Sequence, residues 1–234
     1  TLTAANGVGA AGTAHVDTSD SSLDVSVTSA GLINLAETDD VTLFAVDTFN
    51  GAITVVNTTF DMTVNGPVTT GNGTTTSGGV TLTASGGNIN GAGSVTTGTA
   101  LTAGGVSGSI TATANNSIDD VTFSTGGATT TSGDINLTAT NGSISASGVV
   151  IVNTGAAPAQ GVMNATANGG IIVRTTTGLA VGTLTTRNLL PDTIEIQTNG
   201  AANVAFTATN IGASLASDAF FVYGGYSTEK FDRL

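Results

Sequence analysis

The sequence predicts an all-β chain wound as a parallel β-helix, and three observations carry that expectation. The first is a phrase that returns three times: Ser77-Gly78-Gly79-Val80-Thr81-Leu82-Thr83-Ala84, Ser107-Gly108-Ser109-Ile110-Thr111-Ala112-Thr113-Ala114 and Ser132-Gly133-Asp134-Ile135-Asn136-Leu137-Thr138-Ala139. The second is a polar corner with a lone isoleucine after each copy: Asn88-Ile89, Ser117-Ile118 and Ser143-Ile144. The anchors Val80, Ile110 and Ile135 lie 30 and 25 residues apart and the isoleucines 29 and 26, so two signals keep nearly one period. Such a period marks a structural unit stacked on itself. The third is composition: 33 glycines, 3 prolines, 4% aromatic and 9% charged residues, with mean hydropathy +0.29. Gly, Thr, Val, Ser and Asn are poor helix formers, whereas Thr, Val and Ile suit a pleated, half-buried surface. A disordered chain would instead be rich in charge and poor in apolar residues.

Alternating windows follow one another along the chain. Leu23–Val27, Val41–Ala45, Ile53–Val55 and Phe60–Val64 each put alternate side chains on one face, as do Ile171–Val173, Ile194–Ile196 and Val204–Phe206. Between them stand eight Asn-Gly pairs, among them Asn50-Gly51, Asn90-Gly91 and Asn141-Gly142. Asn-Gly is the strongest short-range hairpin signal, so an antiparallel β-sandwich is the alternative architecture. The repeat argues for the β-helix, because coils stacked in register place Val80, Ile110 and Ile135 in one file and Leu82, Ala112 and Leu137 in another. With coils of roughly 25–30 residues the chain makes about eight or nine of them. At a strand spacing of about 4.8 Å that is a rod on the order of 40 Å long.

Three regions are expected. Residues 1–50 are acidic and weakly repetitive, as variant N-terminal coils or a cap; residues 51–212 are the repetitive shaft. Residues 213–234 hold half of the chain's aromatic residues, as a cap, tail or docking segment, and Phe220, Phe221, Tyr223, Tyr226 and Phe231 are its candidate interface residues.

Net charge is −12, and the only cations are Arg174, Arg187, Lys230 and Arg233. Nucleic acid is excluded as a partner because counterion displacement needs clustered cations, and anionic membrane surfaces are disfavoured for the same reason. No apolar stretch approaches the roughly 18–20 residues of a membrane span. There is no cysteine, hence no disulfide and no thiolate metal site. No apolar leader flanked by Lys or Arg remains after Thr1, so the chain is read as a mature or excised piece of an exported protein.

Candidate chemistry is thin. His15, with Ser19, Ser21 and Asp17 nearby, is the one place for a Ser–His–acid triad, and nothing around it resembles a nucleophile elbow. Asp39-Asp40 and Asp119-Asp120 are the acid pairs a β-helical polysaccharide lyase or hydrolase would use. Asp17, Asp20 and Asp24 set three carboxylates among hydroxyls within eight residues, which makes calcium the one ion the sequence could hold and leaves no other cofactor expected. No catalytic residue is assigned, and a non-enzyme is expected.

The phrases Gly79–Ala84, Gly108–Ala114 and Asp134–Ile144 resemble the repeats of filamentous-haemagglutinin-type bacterial exoproteins: a Gly, an alternating aliphatic–polar strand ending Thr-Ala, a Gly-rich corner and an isoleucine. The likeness covers Ser77 to Val152 well and Gly161 to Phe206 loosely. It implies a right-handed β-helix, export to the cell surface, and a role in adhesion or matrix structure. The expected function is a non-enzymatic extracellular shaft. The alternatives are a filament subunit joined head to tail and a polysaccharide-cleaving enzyme. Expected partners are copies of the chain, further coils of a longer protein, and surface glycans of host or neighbouring cells.

Overall fold

A computed structural model describes residues 1–12, 15–72, 76–100, 104–126, 131–155, 160–187, 193–198, 202–213 and 219–224. In chain order the strands begin with β1 (Leu2–Ala4), β2 (Val16–Thr18), β3 (Ser22–Val27), β4 (Ile33–Glu37), β5 (Val41–Thr48), β6 (Ile53–Asn57) and β7 (Met62–Val64). They continue with β8 (Pro67–Asn72), β9 (Val80–Ala84), β10 (Ile89–Asn90), β11 (Ser94–Ala100), β12 (Ile110–Ala114), β13 (Thr122–Thr125) and β14 (Ile135–Ala139). The last are β15 (Val150–Asn153), β16 (Met163–Ala167), β17 (Ile171–Thr175), β18 (Gly178–Thr186), β19 (Thr193–Thr198), β20 (Asn203–Ala213) and β21 (Ala219–Gly224). The described residues contain no helix.

Every strand pair is parallel. One sheet stacks nine strands in the order β2-β4-β6-β9-β12-β14-β16-β18-β20. The other stacks β1-β3-β5-β8-β11-β13-β15-β17-β19-β21, with β7 and β10 beside it. Strands adjacent in sequence thus alternate between sheets and pair one coil later, which makes a parallel β-helix and excludes the antiparallel sandwich. Among the described residues, Asn-Gly pairs such as Asn50-Gly51, Asn90-Gly91 and Asn141-Gly142 turn coil corners instead of closing hairpins. Gly91 of Asn90-Gly91 takes the left-handed backbone (φ 112°) that such a corner requires.

The files expected from the repeat are present. Val80, Ile110, Ile135 and Met163 are register partners in turn, and so are Leu82, Ala112, Leu137 and Ala165. The lone isoleucines build a third, narrow face: Val41, Met62, Ile89, Ile118, Ile144 and Ile171 follow one another coil by coil. The opposite sheet contributes Val46, Val68, Val95, Phe123 and Val152. All of these are buried in one continuous core, where Phe123 is the largest fully buried side chain. The interior is therefore filled by short aliphatic side chains, which accounts for the low aromatic count.

The Ser-Gly opening of the repeat has its own task. Gly31, Gly51, Gly78, Gly108, Gly133 and Gly161 stack so closely that a Cβ on any of the last five would overlap the backbone of the glycine one coil earlier. Serines flank this file and cap it, the Gly108 amide donating to Ser77 Oγ and the Gly133 amide to Ser107 Oγ, each at 3.0 Å. From the other sheet a buried threonine file, Thr48, Thr70, Thr97 and Thr125, donates hydroxyls to the carbonyls of Gly31, Gly51, Gly108 and Gly133 at 2.5–2.8 Å. The file ties the two sheets together where they meet.

β1 to β5 join the same two sheets as the shaft. Their register slips once: Leu23 faces Leu43 but Asp24 faces Ala45, so Phe44 is an extra residue pushed to the surface, half exposed. At the far end β21 adds a strand to β19, with Phe220 opposite Ile194, Phe221 opposite Glu195 and Tyr223 opposite Gln197. Tyr226 and Phe231 lie outside the described residues.

Replacing Gly108 by alanine drives a Cβ into the Gly78-Gly79 backbone of the coil before. Gly108→Ala is expected to lower stability by about 2–3 kcal/mol, against under about 1 kcal/mol for Thr111→Ala on the outer face. Denaturant unfolding followed by circular dichroism measures both.

Candidate functional site

Asp40, Asp61, Asp119 and Asp120 serve as corner acceptors. Asp40 Oδ1 accepts the Asp61 amide (3.1 Å), Asp61 Oδ1 accepts the Asn88 amide (2.7 Å), Asn88 Oδ1 accepts that of Ser117 (3.0 Å), and Ser117 Oγ that of Ser143 (3.1 Å). Each of these residues precedes the next coil's entry into the narrow face, so one polar side chain per coil satisfies the amide stacked on it. Asp119 and Asp120 do the same at another corner, Asp119 Oδ1 accepting the Ser147 amide (2.9 Å) and Asp120 Oδ1 the Val149 amide (2.8 Å). Asp119 is buried, and Asp120 holds the left-handed backbone with φ 61°. Arg174 lines an open groove of about 270 Å³ beside Ser145 to Val149, but neither aspartate lines it, and Arg174 donates to Gln197 Oε1 at 2.9 Å.

His15 Nε2 sits 2.9 Å from Asp17 Oδ1 on the surface, and this exposed pairing takes up the carboxylate the calcium reading needed. Asp17 belongs to β2 and Asp24 to β3, strands of different sheets, and Asp24 Oδ2 accepts a hydrogen bond from Thr1 Oγ1 at 3.0 Å. Asp17, Asp20 and Asp24 are thus close in sequence but do not converge. Among the described residues, no three His, Cys, Asp or Glu side chains come together as a metal-holding group.

The position that stands apart was not signalled by any sequence motif. Glu37 ends β4, and its inward-facing site continues through the register as Thr18, Glu37, Asn57, Ala84, Ala114, Ala139, Ala167 and Thr186. Four successive coils fill it with a methyl group, and Asn57 fills it with an amide that is fully satisfied. Asn57 Nδ2 donates to the Asp39 and Asp61 carbonyls (2.6 and 2.9 Å), and its Oδ1 accepts the amides of Thr59 and Phe60 (3.1 and 3.0 Å). Glu37 is wholly buried, and neither of its carboxyl oxygens has a hydrogen-bond partner. Asp39 Oδ1 and Thr18 Oγ1 are buried and unpartnered as well. Burial pushes the Glu37 carboxyl up from 4.5 to about 7, the like charges of Asp39 and Asp20 push the same way, and the Asp20 amide, outside hydrogen-bond geometry, opposes them weakly. The sequence held one clue: an acid at an inward-facing position of an alternating window, visible only once the register is known.

A second surface feature lies nearby. Ser26, Asp47, Phe49, Pro67 and Thr69 line an open groove of about 480 Å³ on the outer face of β3, β5 and β8, with Ser26 Oγ donating to Asp47 Oδ2 at 3.0 Å. Phe44, Phe49 and Phe60 are exposed in these early coils. No family model matches this chain, nor does any curated protein or solved structure.

Because the folded chain holds the Glu37 proton more tightly than the unfolded chain, the sign of its linkage is set. Below pH 4.5 both states are protonated and Glu37 imposes no penalty; between there and about 7 the unfolded state ionises first and stability falls; above about 7 the loss is complete. The loss is about 3 kcal/mol. Glu37→Gln is expected to match the parent chain near pH 4 and to exceed it by that amount near pH 8, as read from midpoints of thermal unfolding across the pH series.

Proposed function

We propose that the chain is a non-enzymatic structural shaft, exported to the cell surface or the extracellular matrix, whose task is reach and rigidity. One observation carries this reading: Asp61, Asp119, Asp120 and Asp134 are each bonded to a backbone amide of the next coil. Carboxylates held this way stiffen corners and are poorly placed to exchange protons with a substrate. The outer face supports the same reading, since Asn ladders such as Asn164 Nδ2 to Asn136 Oδ1 (3.0 Å) and Asn141 Nδ2 to Asn115 Oδ1 (2.9 Å) link one coil to the next. Likeness of the repeat to filamentous-haemagglutinin-type exoproteins points to the same role, with adhesion delivered by broad faces. The groove around Phe49, with an apolar ring beside a carboxylate and hydroxyls, is the surface best suited to a glycan partner.

Two measurements test this. Antibodies against the chain should label the outside of intact cells that make it, and the purified chain should release no reducing sugar from a panel of bacterial and host polysaccharides. Asp119→Ala should lower stability by about 1–2 kcal/mol, as loss of a buried acceptor does, and leave glycan retention on an array unchanged. Labelling confined to the cytoplasm, or sugar release that Asp119→Ala and Asp120→Ala abolish, would overturn the proposal.

A further inference from the structure

Among the described residues, the corner holding Glu37 stands apart. Its inward-facing position is filled by alanine in Ala84, Ala114, Ala139 and Ala167, so packing does not call for a carboxylate there. Yet Glu37 is fully enclosed, and four buried oxygens around one corner lack any partner: Glu37 Oε1 and Oε2, Asp39 Oδ1 and Thr18 Oγ1. Thr18 is the register neighbour of Glu37 on the coil before, and Asp39 follows it by two residues at the corner. Exposed Asp20 adds negative charge from outside. Buried acids are ordinarily paired with a cationic side chain or a metal. The chain's four cations all lie at residue 174 or beyond, far along the chain from this corner.

We propose that this corner is a divalent-cation site of calcium type, with Glu37 and Asp39 as carboxylate ligands and the Thr18 hydroxyl beside them. The donor set is oxygen only, which selects a hard cation over zinc or copper. Two carboxylates fall short of a three-acid cluster, and calcium completes such sites with water and carbonyl oxygens. Magnesium, which demands a regular octahedron and gives up water reluctantly, fits an irregular coil corner less well. The site differs from the Asp17, Asp20 and Asp24 grouping expected from sequence, because both of its carboxylates come from the end of β4 and the corner that follows it. The proposal does not depend on the shaft reading: a catalytic or an adhesive β-helix would bind the ion equally.

Thermal unfolding of the whole chain near pH 8, at constant ionic strength, tests it with EGTA, calcium chloride or magnesium chloride. At about a hundredfold excess over the dissociation constant, calcium should raise the midpoint by about 5–10 °C, magnesium should do clearly less, and titration calorimetry should count a single calcium per chain. Glu37→Gln should raise the midpoint in EGTA, since it removes a buried charge, and at the same time abolish the calcium response. This opposite movement separates loss of a ligand from loss of the fold. Asp39→Asn reads the same response if the first variant fails to fold. No rise with calcium, an equal rise with magnesium, or a full response in both variants would overturn the proposal.

Discussion

Close contact of backbone on backbone at one corner of each coil is the constraint on which the remaining structure depends. Gly51, Gly78, Gly108, Gly133 and Gly161 each lie against the glycine of the coil before, leaving no room for a Cβ. Only that approach lets the strands on both sides keep the spacing of a hydrogen-bonded parallel sheet. The register then follows, residue for residue, from Val80 through Ile110 and Ile135 to Met163. Threonine hydroxyls from the facing sheet and serine hydroxyls from the same corner occupy the glycine carbonyls and amides. What reads in sequence as a low-complexity Ser-Gly phrase is thus the joint of the coil.

The same economy governs the charged residues. A parallel coil must turn repeatedly, and each turn leaves amides that the sheet ladders do not reach. Asp40, Asp61, Asn88 and Ser117 meet this need in succession at one corner, so aspartate, asparagine and serine are interchangeable there as acceptors. Of the two acid pairs, Asp40, Asp119 and Asp120 act as such acceptors, whereas Asp39 Oδ1 is buried without a partner.

Glu37 breaks both rules. It places a carboxyl where neighbouring coils place a methyl, and it makes no hydrogen bond. Asn57, one coil later at the same register position, shows how a polar side chain is accommodated there: all four of its hydrogen bonds are made. An uncompensated buried acid weakens the coil at neutral pH, and such local weakness concentrates at sites with a ligand or a switch.

The sequence by itself determined the all-β class, the coil period and the identity of the stacked files, because a two-residue alternation repeated at 25–30 residues admits few arrangements. It also exposed the corner isoleucines, whose recurrence is as regular as that of the strands. Tertiary structure alone decided which polar residues face inward. Asp17, Asp20 and Asp24 are close along the chain but end on different sheets or in solvent, whereas Thr18 becomes the register neighbour of Glu37 only when one coil is laid on the next. Contacts between coils join residues about twenty positions apart at that end of the rod, and the register slip at Phe44 shows that this spacing is not constant. Local spacing therefore reveals the strands, and only the stacked register reveals the site.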